Sequence, residues 1–149
     1  MSIDVTEHRI IPVPVDQVAR YAMDHRHDHE WTQGIRIAAL TKASPAGGFG
    51  VGAQVTRTAY FLGRRIDYVL EVDAYQPPGL LDMVSVLAPM PMRVTYRFQP
   101  RAGATHASIR VRGGGGRYRL LGPLLSLQVR RSLRRDLRDL QRQVVARRS

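Results

Sequence analysis

Hydrophobic and polar positions along this chain change their period three times, and each change marks a different kind of element. Ile3 to Ile11 is rich in β-branched residues and only partly alternating, which predicts a strand ending at Pro12-Val13-Pro14. Beyond the second proline, Val15, Val18, Ala19 and Ala22 recur at helical spacing, so Val15 to Met23 is expected to form a short amphipathic helix. Asp24 through Trp31 is dense in charge and histidine and fits a second helical turn before Gly34.

From Ile35 the period becomes two. Glycine and proline divide this stretch into strand-length pieces at about Ile35 to Lys42, Ala53 to Leu62, Arg65 to Gln76, Leu80 to Leu87, Met92 to Gln99 and Thr105 to Arg112. Their connections hold turn-forming residues such as Pro45, Gly47, Gly63, Pro77, Pro78 and Gly103. Successive alternating strands with short connections predict an antiparallel meander.

After Gly113 to Gly116 the period is helical again. Leu120, Leu124, Leu127, Val129, Leu133, Leu137, Leu140, Val144 and Val145 recur at helical intervals, with arginines between them. A helix from Leu124 to Val145 would be roughly 33 Å long, with Gly122-Pro123 at a kink or at its true start. The arrangement that buries all these faces is α+β: a curved antiparallel sheet of about seven strands around a long C-terminal helix, with two short helices after the first strand. Residues 1–149 are read as one domain. The space between such a sheet and helix is where a ligand cavity forms.

Composition removes several chemistries. The absence of cysteine excludes disulfides, thiol nucleophiles, iron–sulfur clusters and cysteine-based zinc sites. No run approaches the roughly 20 apolar residues of a membrane span, and Asp4, Glu7, Arg9, Asp16 and Arg20 leave no signal-peptide core, so a cytoplasmic location is expected. The net charge of +11 comes almost wholly from arginine, Lys42 being the only lysine. The terminal helix's arginine face is read as solvated and supported by Asp136 and Asp139. Nucleic acid is not favoured, because no aromatic interleaves with those arginines. His25 and His29 share a helical face but lack further ligands, so neither metal nor cofactor is expected. The glycine run has no following lysine and no βαβ context, which argues against a phosphate loop.

Several stretches carry a likeness to a known superfamily. The opening Pro12-Val13-Pro14-Val15-Asp16-Gln17-Val18-Ala19-Arg20-Tyr21 matches its "strand, P-x-x-x-V-W" start, with Ala19 where an aromatic is usual. Trp31 before Gly34-Ile35, Gly52, Gly63-Arg64-Arg65, the segment Val72-Asp73-Ala74-Tyr75-Gln76-Pro77-Pro78-Gly79-Leu80, and the ending from Leu121 to Leu140 continue the match. The chain thus resembles the START-like, SRPBCC or helix-grip superfamily, and within it the polyketide cyclase/dehydrase family. These motifs are structural rather than catalytic. The resemblance implies an interior cavity for a hydrophobic or polycyclic small molecule.

Strand parity selects the side chains that would line such a cavity. Ile66, Tyr68, Leu70 and Val72 share one face, as do Leu81, Met83 and Ser85, then Val94, Tyr96 and Phe98, then Ala107, Ile109 and Val111. In the third strand Val55, Ala59 and Phe61 share a parity with Arg57. An inward guanidinium must be paired, so Arg57 either anchors an acidic group of a ligand or pairs with an acid such as Glu30, unless a bulge turns it outward. The expected ligand-binding residues are Trp31, Arg57, Phe61, Tyr68, Met83, Ser85, Tyr96 and Leu125. Of these, Trp31, Tyr68, Met83, Tyr96 and Leu125 are expected to border one enclosed pocket of a few hundred Å³.

The function expected is binding of a lipid, polyketide or similar aromatic metabolite, in a monomer or homodimer. The alternative is a cyclase or dehydratase in which Arg57 stabilises an oxyanion and Tyr68 or Tyr96 handles a proton. A second alternative is an interaction protein using its arginine-rich helix.

Overall fold

Alternating apolar positions draw the middle of the chain into one sheet, and the helical stripe that follows lies across it. The computed structural model describes residues 3–61, 63–88, 91–114 and 122–147, the side chains of residues 61, 122 and 123 excepted. Strand β1 (Ile3–Ile11) leads to α1 (Val15–Ala22), a 3-10 turn (His25–His27) and α2 (Asp28–Trp31). Then come β2 (Ile35–Lys42), β3 (Gln54–Phe61), β4 (Arg64–Gln76), β5 (Leu80–Leu87), β6 (Met92–Arg101), β7 (Ala104–Gly113) and α3 (Gly122–Ala146). The seven strands are ordered β1-β7-β6-β5-β4-β3-β2, every pair antiparallel.

Local chemistry explains the boundaries. Pro14 stands before the first turn of α1, where a missing N–H is harmless. Asp24 caps the 3-10 turn by accepting from the Arg26 amide at 3.0 Å. Ala102 and Gly103 form the two-residue β6–β7 turn, both at positive φ (51° and 82°), the pattern of the type I′ hairpin turn. Pro123 lies in the first turn of α3, so the Gly122-Pro123 pair marks the start of that helix. Residues Gly115, Gly116 and Leu120 lie outside the described residues.

The inward parity holds for most of the sheet, with Ile66, Tyr68, Ser85 and Val111 only half-buried. Val55, Arg57 and Ala59, Leu70 and Val72, Leu81 and Met83, Val94, Tyr96 and Phe98, and Ala107 and Ile109 are all buried. Helix α3 packs along β1 and against α1 and α2. Leu133, Leu137, Leu140 and Val144 form its buried stripe, each side chain contributing roughly 1.5–3 kcal/mol.

Two expectations for α3 need correction. Leu124, Leu127 and Val145, assigned to the apolar stripe, are 69%, 50% and 42% exposed. Conversely Asp136, assigned to the solvated face, is buried, because it lies three residues after Leu133 and four before Leu140.

Candidate functional site

The third strand carries Arg57 through the sheet to a point where helix α2 is waiting. Its side chain is buried, and Nε donates to Asp28 Oδ2 at 3.0 Å, with Nη2 also 3.0 Å from that oxygen. Nη2 further donates to the Tyr96 hydroxyl at 3.1 Å. Burial opposes the guanidinium's charge, yet Asp28, Tyr96 and Tyr68 together hold its pKa well above the ordinary value. Burial pushes the Asp28 carboxyl upward against the pull of Arg57. Arginine does not deprotonate in proteins, so the guanidinium keeps its charge. Burial also pushes the Tyr96 phenol up to about 12, which keeps it protonated at neutral pH.

The partner acid thus differs from the expected Glu30. Glu30 accepts from the Tyr21 hydroxyl and from Arg147, both at 2.8 Å, on the outer side of α2. The reason is a change of helical phase: the 3-10 turn His25–His27 precedes α2, so Asp28 rather than Glu30 is rotated inward.

The other expected residues divide into groups. Tyr96 stacks at a tilt on Trp31 with ring centres 5.6 Å apart, and Met83 is buried near both Arg57 and Tyr96. Tyr68 is the cross-strand partner of Arg57 and is half-buried. Ser85 accepts from the Met92 amide at 2.9 Å, an assignment within the β5–β6 hairpin. Leu125 is half-buried against the core. The Phe61 side chain lies outside the described residues.

Among the described residues the space beside Arg57 is far smaller than a few hundred Å³. The void touching Arg57, Met83 and Tyr96 measures about 10 Å³, room for about one water molecule. Trp31, Tyr68 and Leu125 do not line it. Larger space lies just outside, in an open cleft of about 670 Å³ between α1, β2, the β2–β3 connection and the Tyr75–Pro78 segment. Three residues line both spaces: Met23, His25 and Phe49. Phe49 fills the boundary, stacking near His25 at 6.1 Å and meeting the Tyr75 ring edge-on at 5.1 Å.

Parity could not reveal this part of the site, because Phe49 belongs to a connection. A signal was nevertheless present: one phenylalanine set among Gly47, Gly48, Gly50 and Gly52. Asp136 was missed as well. Its Oδ1 accepts from the Gln33 amide at 2.8 Å, and burial pushes its carboxyl up to about 7 against that bond and the charge of Arg57. Close by in sequence to that amide, Trp31 Nε1 and Thr32 Oγ1 are buried without a hydrogen-bond partner among the described residues.

A curved antiparallel sheet holding a long terminal helix, with two short helices inserted after the first strand, is the helix-grip fold of START-like proteins. The chain belongs to the polyketide cyclase/dehydrase and lipid transport family, whose family model it matches over residues 2–145. TTHA0849 from Thermus thermophilus has a similar structure, with a TM-score of 0.81 at 17% identity over 98% of this chain and 99% of that one. A START superfamily protein from Mycobacterium smegmatis gives 0.82 at 10% identity, covering 97% and 99%. The Zhui aromatase/cyclase from Streptomyces sp. R1128 gives 0.78 at 14%, covering 97% and 94%. No curated protein matches the chain. Family and fold support binding of a hydrophobic ligand between sheet and helix. Among the described residues no helix is long and apolar enough to cross a membrane.

Proposed function

We propose that this protein binds a hydrophobic, ring-bearing small molecule whose acidic or enolic end is directed to Arg57. The observation that carries this reading is a buried guanidinium beside a void that shares Phe49, Met23 and His25 as lining with a cleft of about 670 Å³. Leu40, Phe49, Tyr75, Pro77 and Pro78 give the cleft apolar walls, and displacement of Phe49 would join it to the interior. Asp28 and Tyr96 engage Nε and Nη2 and so fix the guanidinium's plane before a ligand arrives.

Catalysis of the cyclase or dehydrase type is the second reading, favoured by the Arg57–Tyr96 contact and by the likeness to an aromatase/cyclase. In that reading Arg57 stabilises a developing oxyanion and Tyr96, protonated at neutral pH, serves as acid rather than base.

Native mass spectrometry of freshly purified protein tests the binding itself, a retained apolar ligand being the expected result. Titration with a carboxylated polycyclic compound and its neutral amide then tests Arg57. The acid should bind about 10- to 150-fold more tightly, the range of a charge-assisted bond to a desolvated arginine. The double variant Arg57→Met/Asp28→Asn, which leaves no unpaired charge, should lose that preference and keep the apolar affinity. An equal acid-to-amide ratio in both proteins would reject the anchor, and loss of turnover in the variant would establish the catalytic reading.

A further inference from the structure

On the solvent side of α3, Leu124 and Leu127 are followed by Arg131, Arg134, Arg135 and Arg138 at spacings that place all six on one stripe. The stripe is about 21 Å long. Both leucines are at least half exposed, and among the described residues Arg131, Arg135 and Arg138 have no carboxylate partner. Glu7, at the stripe's edge, is already shared by Arg130 and Arg134. His8 and Arg9 of β1 complete a groove of about 390 Å³ with the four arginines. Like charges three and four residues apart repel along a helix, so the stripe weakens α3 until something anionic lies on it.

We propose that this face docks on an anionic phospholipid surface, the groove receiving phosphodiester headgroups while Leu124 and Leu127 enter the acyl boundary. Charge complementarity alone would suit any polyanion. The two exposed leucines at the head of the same stripe select a lipid surface, because a basic helix with an apolar segment lies in the interface between headgroups and chains. Nucleic acid offers no place for those leucines, and the stripe has no aromatic side chain on which a base could stack. The docking does not depend on what occupies the interior.

Co-sedimentation of the full chain with vesicles made of equal parts phosphatidylglycerol and phosphatidylcholine, and with phosphatidylcholine alone, tests it. Binding should require phosphatidylglycerol and weaken as salt is raised. Arg131→Gln, Arg135→Gln and Arg138→Gln should each lower vesicle affinity about fivefold. Leu124→Ser/Leu127→Ser should leave weaker binding that salt removes completely. All five positions are solvent-facing, so an unchanged melting curve verifies that the variants are folded. Equal binding to both vesicle types, or glutamine variants that bind like the parent, would overturn the proposal. So would complete displacement by glycerol phosphate, which would assign the groove to a soluble phosphate, or binding to duplex DNA without binding to vesicles.

Discussion

Arg57 on β3 and Asp28 on α2 meet at 3.0 Å with their side chains only 5% and 4% exposed, and this pair ties the short helices to the sheet. Removing one partner leaves the other charged and buried. Arg57→Met alone should therefore destabilise the protein by about 3–5 kcal/mol in urea denaturation, whereas Arg57→Met/Asp28→Leu should recover most of that loss. A double variant no more stable than the single one would show that the pair is not the principal tie.

Asp136 sets a pH dependence of definite sign. Its folded pKa is raised to about 7, against about 3.9 in an unfolded chain. Stability from the protonated carboxyl is therefore complete below about pH 4 and is lost as pH rises toward 7, with a slope of up to about 1.4 kcal/mol per pH unit. Asp4, Glu7, Asp24 and Glu30 act in the opposite sense, since their pKa values are lowered and their contributions vanish at acid pH. Asp136→Asn keeps an oxygen for the Gln33 amide, and it should flatten the fall between pH 4 and 7 and raise the melting temperature at pH 8.

Two leucines ten residues apart on α3 should respond in opposite ways. Leu137 is 1% exposed and Leu127 is 50% exposed. Leu137→Ala should cost about 2–5 kcal/mol, while Leu127→Ala should change stability by about 0.5 kcal/mol or less. Leu137→Asp should yield no folded protein, because it buries an unpaired charge.

The β6–β7 turn offers a stabilising change. Ala102 has φ 51°, a region costly for alanine, and is followed by Gly103 at φ 82°. Asparagine tolerates that conformation and precedes glycine in the favoured turn of this type. Ala102→Asn should raise stability by about 0.5–1 kcal/mol, read as a shift of the urea midpoint at unchanged slope.

Phe49 controls passage in the proposed binding route. Phe49→Ala should join the 10 Å³ void to the outer cleft. Stopped-flow mixing with an apolar fluorophore should then show faster association, and an unchanged rate would place the route elsewhere.

Much of this architecture was legible because β-strand parity is a strict rule. Parity assigned Arg57 and Tyr96 to the interior, and both are there. The partner of Arg57 was not legible, since the identity of the inward acid depends on the phase of a three-residue 3-10 turn that no periodicity records. Asp136 was hidden for another reason: it shares its helix with many charged residues, although its spacing from Leu133 and Leu140 placed it on the apolar face. The volume of the interior was least legible. Parity states which side chains point inward, whereas the remaining space depends on how closely Phe49, Met83 and Tyr96 fill it.

The pairing of β1 with β7 also orders events in time. Ile3 lies opposite Gly113, and Ile11 opposite Thr105, so β1 has no strand to join until about a hundred further residues exist. At roughly 5–20 residues per second, synthesis alone imposes a wait of several seconds on that strand. The meander from β2 to β7 consists of neighbours in sequence and can assemble meanwhile, but α3 packs along β1, so closure of the grip belongs to the end of folding. Until then the apolar face of the sheet that α3 will cover stands open.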